Sequence, residues 1–243
     1  AIESQAACGP GHMQGFLAAF DRFEWEHDLP GKRERIAREP IGVCGLITPW
    51  NWPANQIALK VIPALATGCT CILKPSEIAP LSAMLFAEMV HEAGFPAGVF
   101  NLVNGGGATA GAALSEHPDV DMMSFTGSTR AGALVSKAAA DTVKRVTLEL
   151  GGKSPNILFA DCDLDDALQR GIEHVFENTG QSCNAPTRML VERGIYGEAV
   201  ERAVAIGSAI RVGNPRDNGD HIGPLSSDAQ FRKVQSLIEA GTA

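Results

Sequence analysis

Short β-rich runs alternate with helical stretches from residue 43 onward, and this alternation constrains the fold more than any other feature of the sequence. Each run is bounded by glycine or proline, which is typical of strands in a sheet interior. The runs are Val43–Thr48, Thr70–Lys74, Val99–Val103 and Val120–Thr126. Between two of them, Leu81–Ala93 has apolar residues at helical spacing and ends at Gly94. Strands joined by crossover helices form a parallel sheet covered on both faces, so the sequence predicts a doubly wound α/β fold.

A second α/β segment follows the pair Gly151-Gly152. Its predicted elements are a strand over Asn156–Ala160, a helix capped by Asp163 that runs to Glu177 or Asn178, a strand over Arg188–Glu192 and a helix over Ala199–Ile210. This pattern indicates a second α/β domain, or part of one.

A charged insert at residues 22–40 interrupts the first segment. It is broken by Pro30-Gly31 and flanked by Trp25 and Ile36. A Pro-Gly turn fits a two-stranded arm, and a solvated loop accounts for the composition equally well.

Both ends of the sequence have helical patterns, Ala1–Phe20 at the start and a stretch with Val234, Leu237 and Ile238 at the finish. We therefore expect that flanks of a longer protein are missing. The expected organisation is one domain over residues 1–21 and 41–152, incomplete at its N-terminus, with 22–40 as an arm. Residues 153–243 then form a second domain that is incomplete at its C-terminus.

The charge balance excludes several classes of partner. Lysine and arginine together number 20 against 28 aspartates and glutamates, which gives a net charge of −8. Proteins that bind nucleic acids by neutralising phosphates usually have the opposite balance. The sequence contains no apolar run of about 18 residues and no visible secretion signal. We expect neither nucleic acid nor a membrane as a partner.

The cysteines and histidines predict a reducing environment and no metal site. Six cysteines show no Cys-x-x-Cys spacing, and the six histidines are scattered without ligand spacing. Cys44, Cys69 and Cys71 lie in apolar, β-branched surroundings, where a reduced thiol packs as a small hydrophobic group. A cytoplasmic location is the simplest interpretation.

Three residues have candidate catalytic chemistry. Cys183 lies on a polar, glycine-containing loop between a predicted helix and a strand, where it is either a nucleophile or an incidental thiol. Glu149 lies between Leu148 and Leu150 at a strand end, where it is either a partly desolvated general base or a surface partner of Lys153.

Asn51 is the third candidate, and it follows a strand between two tryptophans and two prolines. Its amide can donate to an oxyanion without titrating, and ligands gather at the carboxyl ends of parallel strands. The alternative is a turn residue whose side chain is satisfied by backbone groups.

Three further stretches are suited to a nucleotide. Phe125–Thr129 follows a strand and opens a helix, so Gly127 and Ser128 form either a phosphate site or a simple helix cap. Gly105, Gly107 and Gly111 resemble a dinucleotide fingerprint that is one residue too long. Lys74 and Glu77 at another strand end either hold ribose hydroxyls or form an exposed ion pair.

Taken together, these stretches resemble the aldehyde dehydrogenase superfamily along nearly the whole chain. Five motifs occur in the family's order, with Glu149 and Cys183 separated by 34 positions. They are Pro49-Trp50-Asn51-Trp52-Pro53, Lys74-Pro75-Ser76-Glu77, Phe125-Thr126-Gly127-Ser128-Thr129, Leu148–Pro155 and Gly180-Gln181-Ser182-Cys183.

The resemblance implies a role for each matched residue. Cys183 is the nucleophile, Glu149 the general base, and Asn51 an oxyanion donor beside the backbone N–H of Cys183. Lys74 and Glu77 hold the adenosine ribose, while Gly127 and Ser128 lie along the pyrophosphate. The remaining residues that the resemblance assigns to the cofactor are Trp50, Ser76, Gly107, Phe125 and Leu150.

The implied reaction is oxidation of an aldehyde to the carboxylic acid with NAD or NADP, through a thiohemiacetal and a thioester on Cys183. Glu149 favours hydrolysis of the thioester over transfer to coenzyme A, and Glu77 favours NAD because a carboxylate repels a 2′-phosphate. The segment 22–40 matches part of the arm that pairs subunits, which implies a homodimer or homotetramer. The alternatives are a non-catalytic nucleotide-binding or assembly module and an inactive fragment of the enzyme. The sequence does not identify the aldehyde.

Overall fold

A computed structural model of the chain describes residues 2–242, so Ala1 and Ala243 at the ends of the predicted domains lie outside the described residues. The chain divides into two compact units after Leu150, two residues before the predicted domain boundary. The first unit includes the segment 22–40.

The first unit contains a five-stranded parallel sheet with helices between its strands. In chain order its elements are α1 (Ile2–Phe20), β1 (Glu26–Asp28), β2 (Arg35–Ala37), β3 (Val43–Ile47), α2 (Pro53–Ala66), β4 (Thr70–Lys74), α3 (Leu81–Glu92), β5 (Phe100–Leu102), α4 (Ala112–Glu116), β6 (Met122–Gly127), α5 (Thr129–Ala140) and β7 (Arg145–Leu150). The order across the sheet is β5-β4-β3-β6-β7, and every neighbouring pair is parallel. The predicted doubly wound fold is confirmed, with the ends of β3 to β6 within two residues of prediction.

Two apolar clusters cover the two faces of this sheet. One joins Cys44 and Leu46 of β3 to Ile57 and Val61 of α2, and the other contains Ile47 of the same strand. Successive side chains of a strand point to opposite faces, so the alternation along β3 supplies both clusters. Each fully buried aliphatic side chain contributes roughly 1.5–3 kcal/mol to this packing.

The segment 22–40 forms a two-stranded antiparallel arm in which β1 pairs with β2. Arg35 binds the carboxylates of Glu26 at 3.1 Å and Asp28 at 2.9 Å across the pair. Gly31 has a φ of 74° in the turn, a conformation that glycine adopts without strain. The arm is therefore confirmed over the solvated loop, and its role in subunit pairing stays a prediction.

The second unit contains β8 (Pro155–Leu158), α6 (Leu164–Phe176), β9 (Arg188–Val191), α7 (Tyr196–Ala209) and α8 (Asp228–Thr242). The two strands are parallel, and Leu158, Leu168 and Ala199 pack between strand and helices. The predicted cap of α6 is confirmed, because the Asp163 carboxylate accepts a hydrogen bond from the N–H of Asp166 at 3.2 Å. Within residues 2–242, no helix combines the length and apolar character needed to span a membrane.

Candidate active site

The strand order of the first unit reverses between β3 and β6, and this reversal fixes where a ligand is expected. Connections leave the carboxyl ends of these two strands in opposite directions, which opens a crevice at that end of the sheet. Trp50 and Asn51 follow β3 there, and Gly127 and Ser128 lie at the end of β6.

Ser128 is the N-cap of α5. Its hydroxyl accepts a hydrogen bond from the N–H of Ala131 at 3.2 Å, so the helix-cap alternative holds for the side chain. A helix of 12 residues still has its dipole and further first-turn N–H groups at this end, which attract an anion. Gly127 is required by packing, because a Cβ atom there would lie 2.6 Å from the ring of the buried Phe125.

Four of the residues predicted to bind the cofactor meet beyond the end of β4. The Lys74 ammonium, whose side chain is 3% exposed, lies 3.2 Å from the Glu77 carboxylate, which is 57% exposed. Hydrogen bonds from its own backbone N–H, from Lys74 and from the N–H of Gly107 lower the pKa of Glu77, against a smaller opposing effect of burial. Ser76 accepts a hydrogen bond from the N–H of Ile78 at 3.3 Å. Glu77 therefore connects the glycine-rich loop, residues 105–111, to the end of β4.

The glycine-rich loop differs from a dinucleotide fingerprint in its backbone. It forms a five-residue π-helix over Gly107–Gly111. A Cβ atom at Gly105 would lie 2.7 Å from Ala110, whereas one at Gly107 would meet nothing within 4 Å. The extra residue is thus accommodated by the wider turn, and Gly105 is the position at which packing requires glycine.

Asn51 lies in the half-buried turn between β3 and α2, with Trp50 and Trp52 on either side. Its backbone carbonyl accepts a hydrogen bond from the side chain of Gln5 in α1 at 3.0 Å. The first helix of the chain therefore holds this turn in place.

Glu149 is exposed near the end of β7, and the expectation that its neighbouring leucines desolvate it is wrong. Leu148 and Leu150 point to the opposite face, where they pack at Gly132 of α5. Glu149 pairs in register with Thr126 of β6 and therefore shares the face that carries α2.

Lys60 on α2 is a buried charge that the sequence analysis missed. It is 7% exposed and donates to the Ser124 hydroxyl of β6 at 2.7 Å. Burial lowers the pKa of Lys60 to about 8, opposed by the charge of Glu149. Lysine is almost never fully buried unless paired, so a lone lysine within the apolar run of α2 is the signal that could have revealed it.

Cys183 lies in the second unit, on an exposed loop after α6. Asn178, Thr179 and Gly180 before it all have left-handed backbones, with φ of 51°, 60° and 72°. A β-branched residue such as Thr179 is strained in this region, and such strain clusters at functional sites. The Thr179 hydroxyl compensates by donating to the carbonyl of Gly223 at 3.1 Å.

Two further contacts hold this loop. The side-chain carbonyl of Gln181 accepts a hydrogen bond from the N–H of Ser226 at 2.9 Å. Gly152 approaches so closely that a Cβ atom there would lie 2.8 Å from the carbonyl oxygen of Cys183, whereas one at Gly151 would meet nothing within 4 Å. We refer to residues 178–183 as the cysteine loop. Of the two glycines, only Gly152 is required by its packing against this loop.

The sequence model of the aldehyde dehydrogenase family matches residues 11–243. The chain is 55% identical over its full length to a 3-succinoylsemialdehyde-pyridine dehydrogenase from a Pseudomonas species, of which it covers 50%. It is 56% identical to an aldehyde dehydrogenase from Bartonella henselae of known structure, with a TM-score of 0.94 over 99% of this chain and 51% of that one.

A third relative was solved with ligands. It is a cysteine-to-alanine mutant of aldehyde dehydrogenase C from Pseudomonas syringae, complexed with NAD+ and octanal, at 52% identity and a TM-score of 0.89. The alignment covers 98% of this chain and 48% of that one. The chain thus spans about half the length of the relatives it matches.

Proposed function

The chain belongs to the aldehyde dehydrogenase family, and from that premise we propose that it oxidises an aldehyde to the carboxylic acid with NAD as hydride acceptor. The observation that carries the proposal is the exposed thiol of Cys183 on a loop with three consecutive left-handed residues. A structural cysteine needs neither exposure nor a strained loop, whereas a nucleophile needs both access and a fixed position.

The residues at the carboxyl end of the sheet fit NAD. Lys74 and Glu77 offer a cation and a carboxylate to ribose hydroxyls, and the N-terminus of α5 offers N–H groups to a pyrophosphate. The buried Thr126 hydroxyl, near the end of β6, has no hydrogen-bond partner within residues 2–242, as expected of a group that a ligand would bind. When bound, NAD supplies the hydride-accepting chemistry. A carboxylate at position 77 favours NAD over NADP.

The side chains then divide the remaining work. The Cys183 thiolate attacks the aldehyde carbon and forms a thiohemiacetal whose oxygen is negative. The Asn51 amide donates a hydrogen bond to that oxygen, which is worth roughly 3 kcal/mol of barrier for one donor in such a site. Loss of hydride from the thiohemiacetal leaves a thioester on Cys183.

Glu149 completes the cycle as general base. It takes a proton from the water that attacks the thioester, and the carbon–sulfur bond breaks to release the acid and the thiolate. The buried Lys60 lies on the same face of the sheet as Glu149, and the charge of Glu149 partly offsets the effect of burial on the pKa of Lys60.

The proposal covers aldehydes as a class, because the relatives named above include one named for a pyridine semialdehyde and one crystallised with octanal. It also includes a cytoplasmic location and pairing through the arm into a homodimer or homotetramer.

The test is NAD-dependent oxidation of octanal by the chain, followed as NADH absorbance and as octanoate. Cys183→Ala abolishes both signals, whereas Cys8→Ala, which removes a half-buried thiol from α1, retains them. Dehydrogenase activity in Cys183→Ala refutes the assignment of the nucleophile. NAD binding without aldehyde oxidation by the unmodified chain instead supports the non-catalytic module or the inactive fragment.

A further inference from the structure

Three of the six cysteines lie together at the amino end of the sheet, the end opposite the candidate active site. Cys44 of β3 and Cys71 of β4 are register partners on neighbouring strands, and Cys69 directly precedes β4. All three are reduced and buried: Cys44 is 3% exposed, Cys69 5% and Cys71 0%. We refer to Cys44, Cys69 and Cys71 as the thiol cluster.

Cys69 differs from its neighbours because hydrogen-bond donors surround its sulfur. The Thr67 hydroxyl lies 3.6 Å from the sulfur, and the backbone N–H groups of Ile41 and Gly42 and the thiol of Cys44 also contribute to lowering the pKa of Cys69. Burial raises the pKa of Cys69 and these hydrogen bonds lower it, that of Thr67 most strongly, and the Thr67 hydroxyl is itself held by the carbonyl of Pro63 at 2.8 Å.

The backbone that carries these donors is held in place. Gly42 has a φ of 118°, and a Cβ atom there would overlap the Asp121 carboxylate. That carboxylate accepts a hydrogen bond from the N–H of Val43 at 2.7 Å. The backbone at residues 42–43, at the start of β3, is therefore fixed before any reaction.

The hydrogen-bond donors give Cys69 a lower pKa than the other two thiols. Burial raises the pKa of Cys44 and of Cys71 to about 12. Burial also opposes ionisation of Cys69, but the hydrogen bonds outweigh it and lower the pKa of Cys69. Because the thiolate is the reactive form, Cys69 is the member of the cluster that reacts.

A cleft gives small molecules access to Cys69. Its volume is about 500 Å³, and it opens between the arm and the amino ends of β6 and β7. Its lining includes Trp25, Arg38, Cys69, Met122 and Arg145.

We propose that Cys69 is a redox-modified cysteine, which hydrogen peroxide oxidises to a sulfenic acid and which then forms a disulfide with Cys44. In the first step the Cys69 sulfur attacks one peroxide oxygen, the O–O bond breaks, and the departing hydroxide takes a proton to become water. The sulfur loses two electrons and the peroxide gains them. Cys44 is the resolving thiol because it is buried in the same cluster as Cys69 and the two side chains interact.

In the second step the Cys44 sulfur attacks the Cys69 sulfur and the S–O bond breaks. The Cys44 proton leaves with the hydroxide as water, and the S–S bond remains. Dithiothreitol reverses the product to two thiols, because it restores the two electrons by disulfide exchange.

The test uses the chain with Cys183→Ser, so that its result does not depend on the proposed dehydrogenase activity. Hydrogen peroxide is added, free thiols are blocked with N-ethylmaleimide, and disulfide-linked peptides are mapped by mass spectrometry. We expect a Cys44–Cys69 disulfide that dithiothreitol reverses. Cys71 should be modified at least about tenfold more slowly than Cys69, since each pKa unit changes the thiolate fraction tenfold.

Two variants sharpen the result. In Cys44→Ser, dimedone should trap the sulfenic acid on Cys69, because the resolving thiol is gone. Cys71→Ser is the matched control, a buried neighbour whose loss should leave the Cys44–Cys69 disulfide forming at the original rate. A Cys69 that stays a free thiol in the unsubstituted cluster, or one that is oxidised without joining Cys44, overturns the proposal.

Discussion

The two units prepare their candidate residues in different ways. In the first, regular strands bring Lys74, Glu77 and Gly107 together although up to 33 positions separate them in sequence. In the second, Cys183 lies on a strained loop held by hydrogen bonds of Thr179 and Gln181 and by the close approach of Gly152. A sheet therefore positions groups by topology, whereas the cysteine loop depends on individual contacts.

The largest expected effect is a loss of catalytic rate on substitution of Asn51, without a change in the reactivity of the Cys183 thiol. Asn51→Ala removes the proposed oxyanion donor and should lower kcat for octanal oxidation about 10²- to 10³-fold. The alkylation rate of Cys183 should not change, because Asn51 acts on the oxyanion and not on the free thiol. Steady-state kinetics and peptide mass spectrometry measure the two quantities.

Asn101→Ala is the control for that change. Asn101 is exposed on β5, and its side chain bonds only the carbonyl of Gly98 at 2.9 Å among the contacts described. Its loss should leave kcat within twofold, roughly the effect of an ordinary surface substitution. A less than tenfold loss in Asn51→Ala removes Asn51 from the oxyanion site.

The burial of Lys60 in the first unit predicts that the free energy of unfolding depends on pH. Between the folded pKa of about 8 and the unfolded value of 10.5, the unfolded state holds a proton that the folded state has released. The free energy of unfolding therefore increases by about 2–3 kcal/mol as the pH is raised through this window.

Lys60→Met should abolish that rise, as measured by urea unfolding from pH 8 to 10.5. Lys137→Met is the matched control, because Lys137 is exposed on α5, and this variant should keep the pH profile of the unmodified chain. Parallel profiles for Lys60→Met and the unmodified chain contradict the burial of the charge.

The same contrast decides what the sequence could predict. Strands such as β3 and β4 follow from local composition, and the caps Asp163 and Ser128 follow from the residue type before a helix. The burial of Lys60 and the exposure of Glu149 depend on which face of the sheet each occupies. That depends on strand order and on α2, which no local pattern specifies.

The candidate site shows the same limit. Its motifs can be recognised from residue types at fixed spacing. The requirement for Gly152 and the left-handed conformation of Thr179 could not be predicted from residue types, because each involves a contact with a distant part of the chain. Of the groups that lower the pKa of Cys69, Thr67 is a neighbour in sequence, whereas Ile41 and Gly42 are brought close only by the pairing of β3 with β4.

Gly152→Ala tests the dependence of the second unit on a single contact. The new methyl group would lie 2.8 Å from the carbonyl oxygen of Cys183, so the loop must move. We expect a loss of about 1–3 kcal/mol in unfolding free energy, typical of overpacking, together with a changed alkylation rate at Cys183. Gly151→Ala meets nothing within 4 Å and should change neither quantity. Equal behaviour of the two variants would show that the cysteine loop does not rely on Gly152.

The smallest expected effect concerns Glu77, where the first unit should tolerate a change and alter only its preference for a cofactor. Glu77→Gln keeps the shape of the side chain but removes its negative charge, and hence its repulsion of a 2′-phosphate. The ratio of the NADP and NAD dissociation constants, measured by calorimetry, should shift toward NADP by about tenfold, the equivalent of roughly 1.4 kcal/mol. Glu92→Gln, an exposed position at the end of α3, should leave that ratio unchanged. An unaltered ratio in Glu77→Gln would mean that the carboxylate serves only to tie Gly107 to the end of β4, and that selection between the two dinucleotides lies elsewhere.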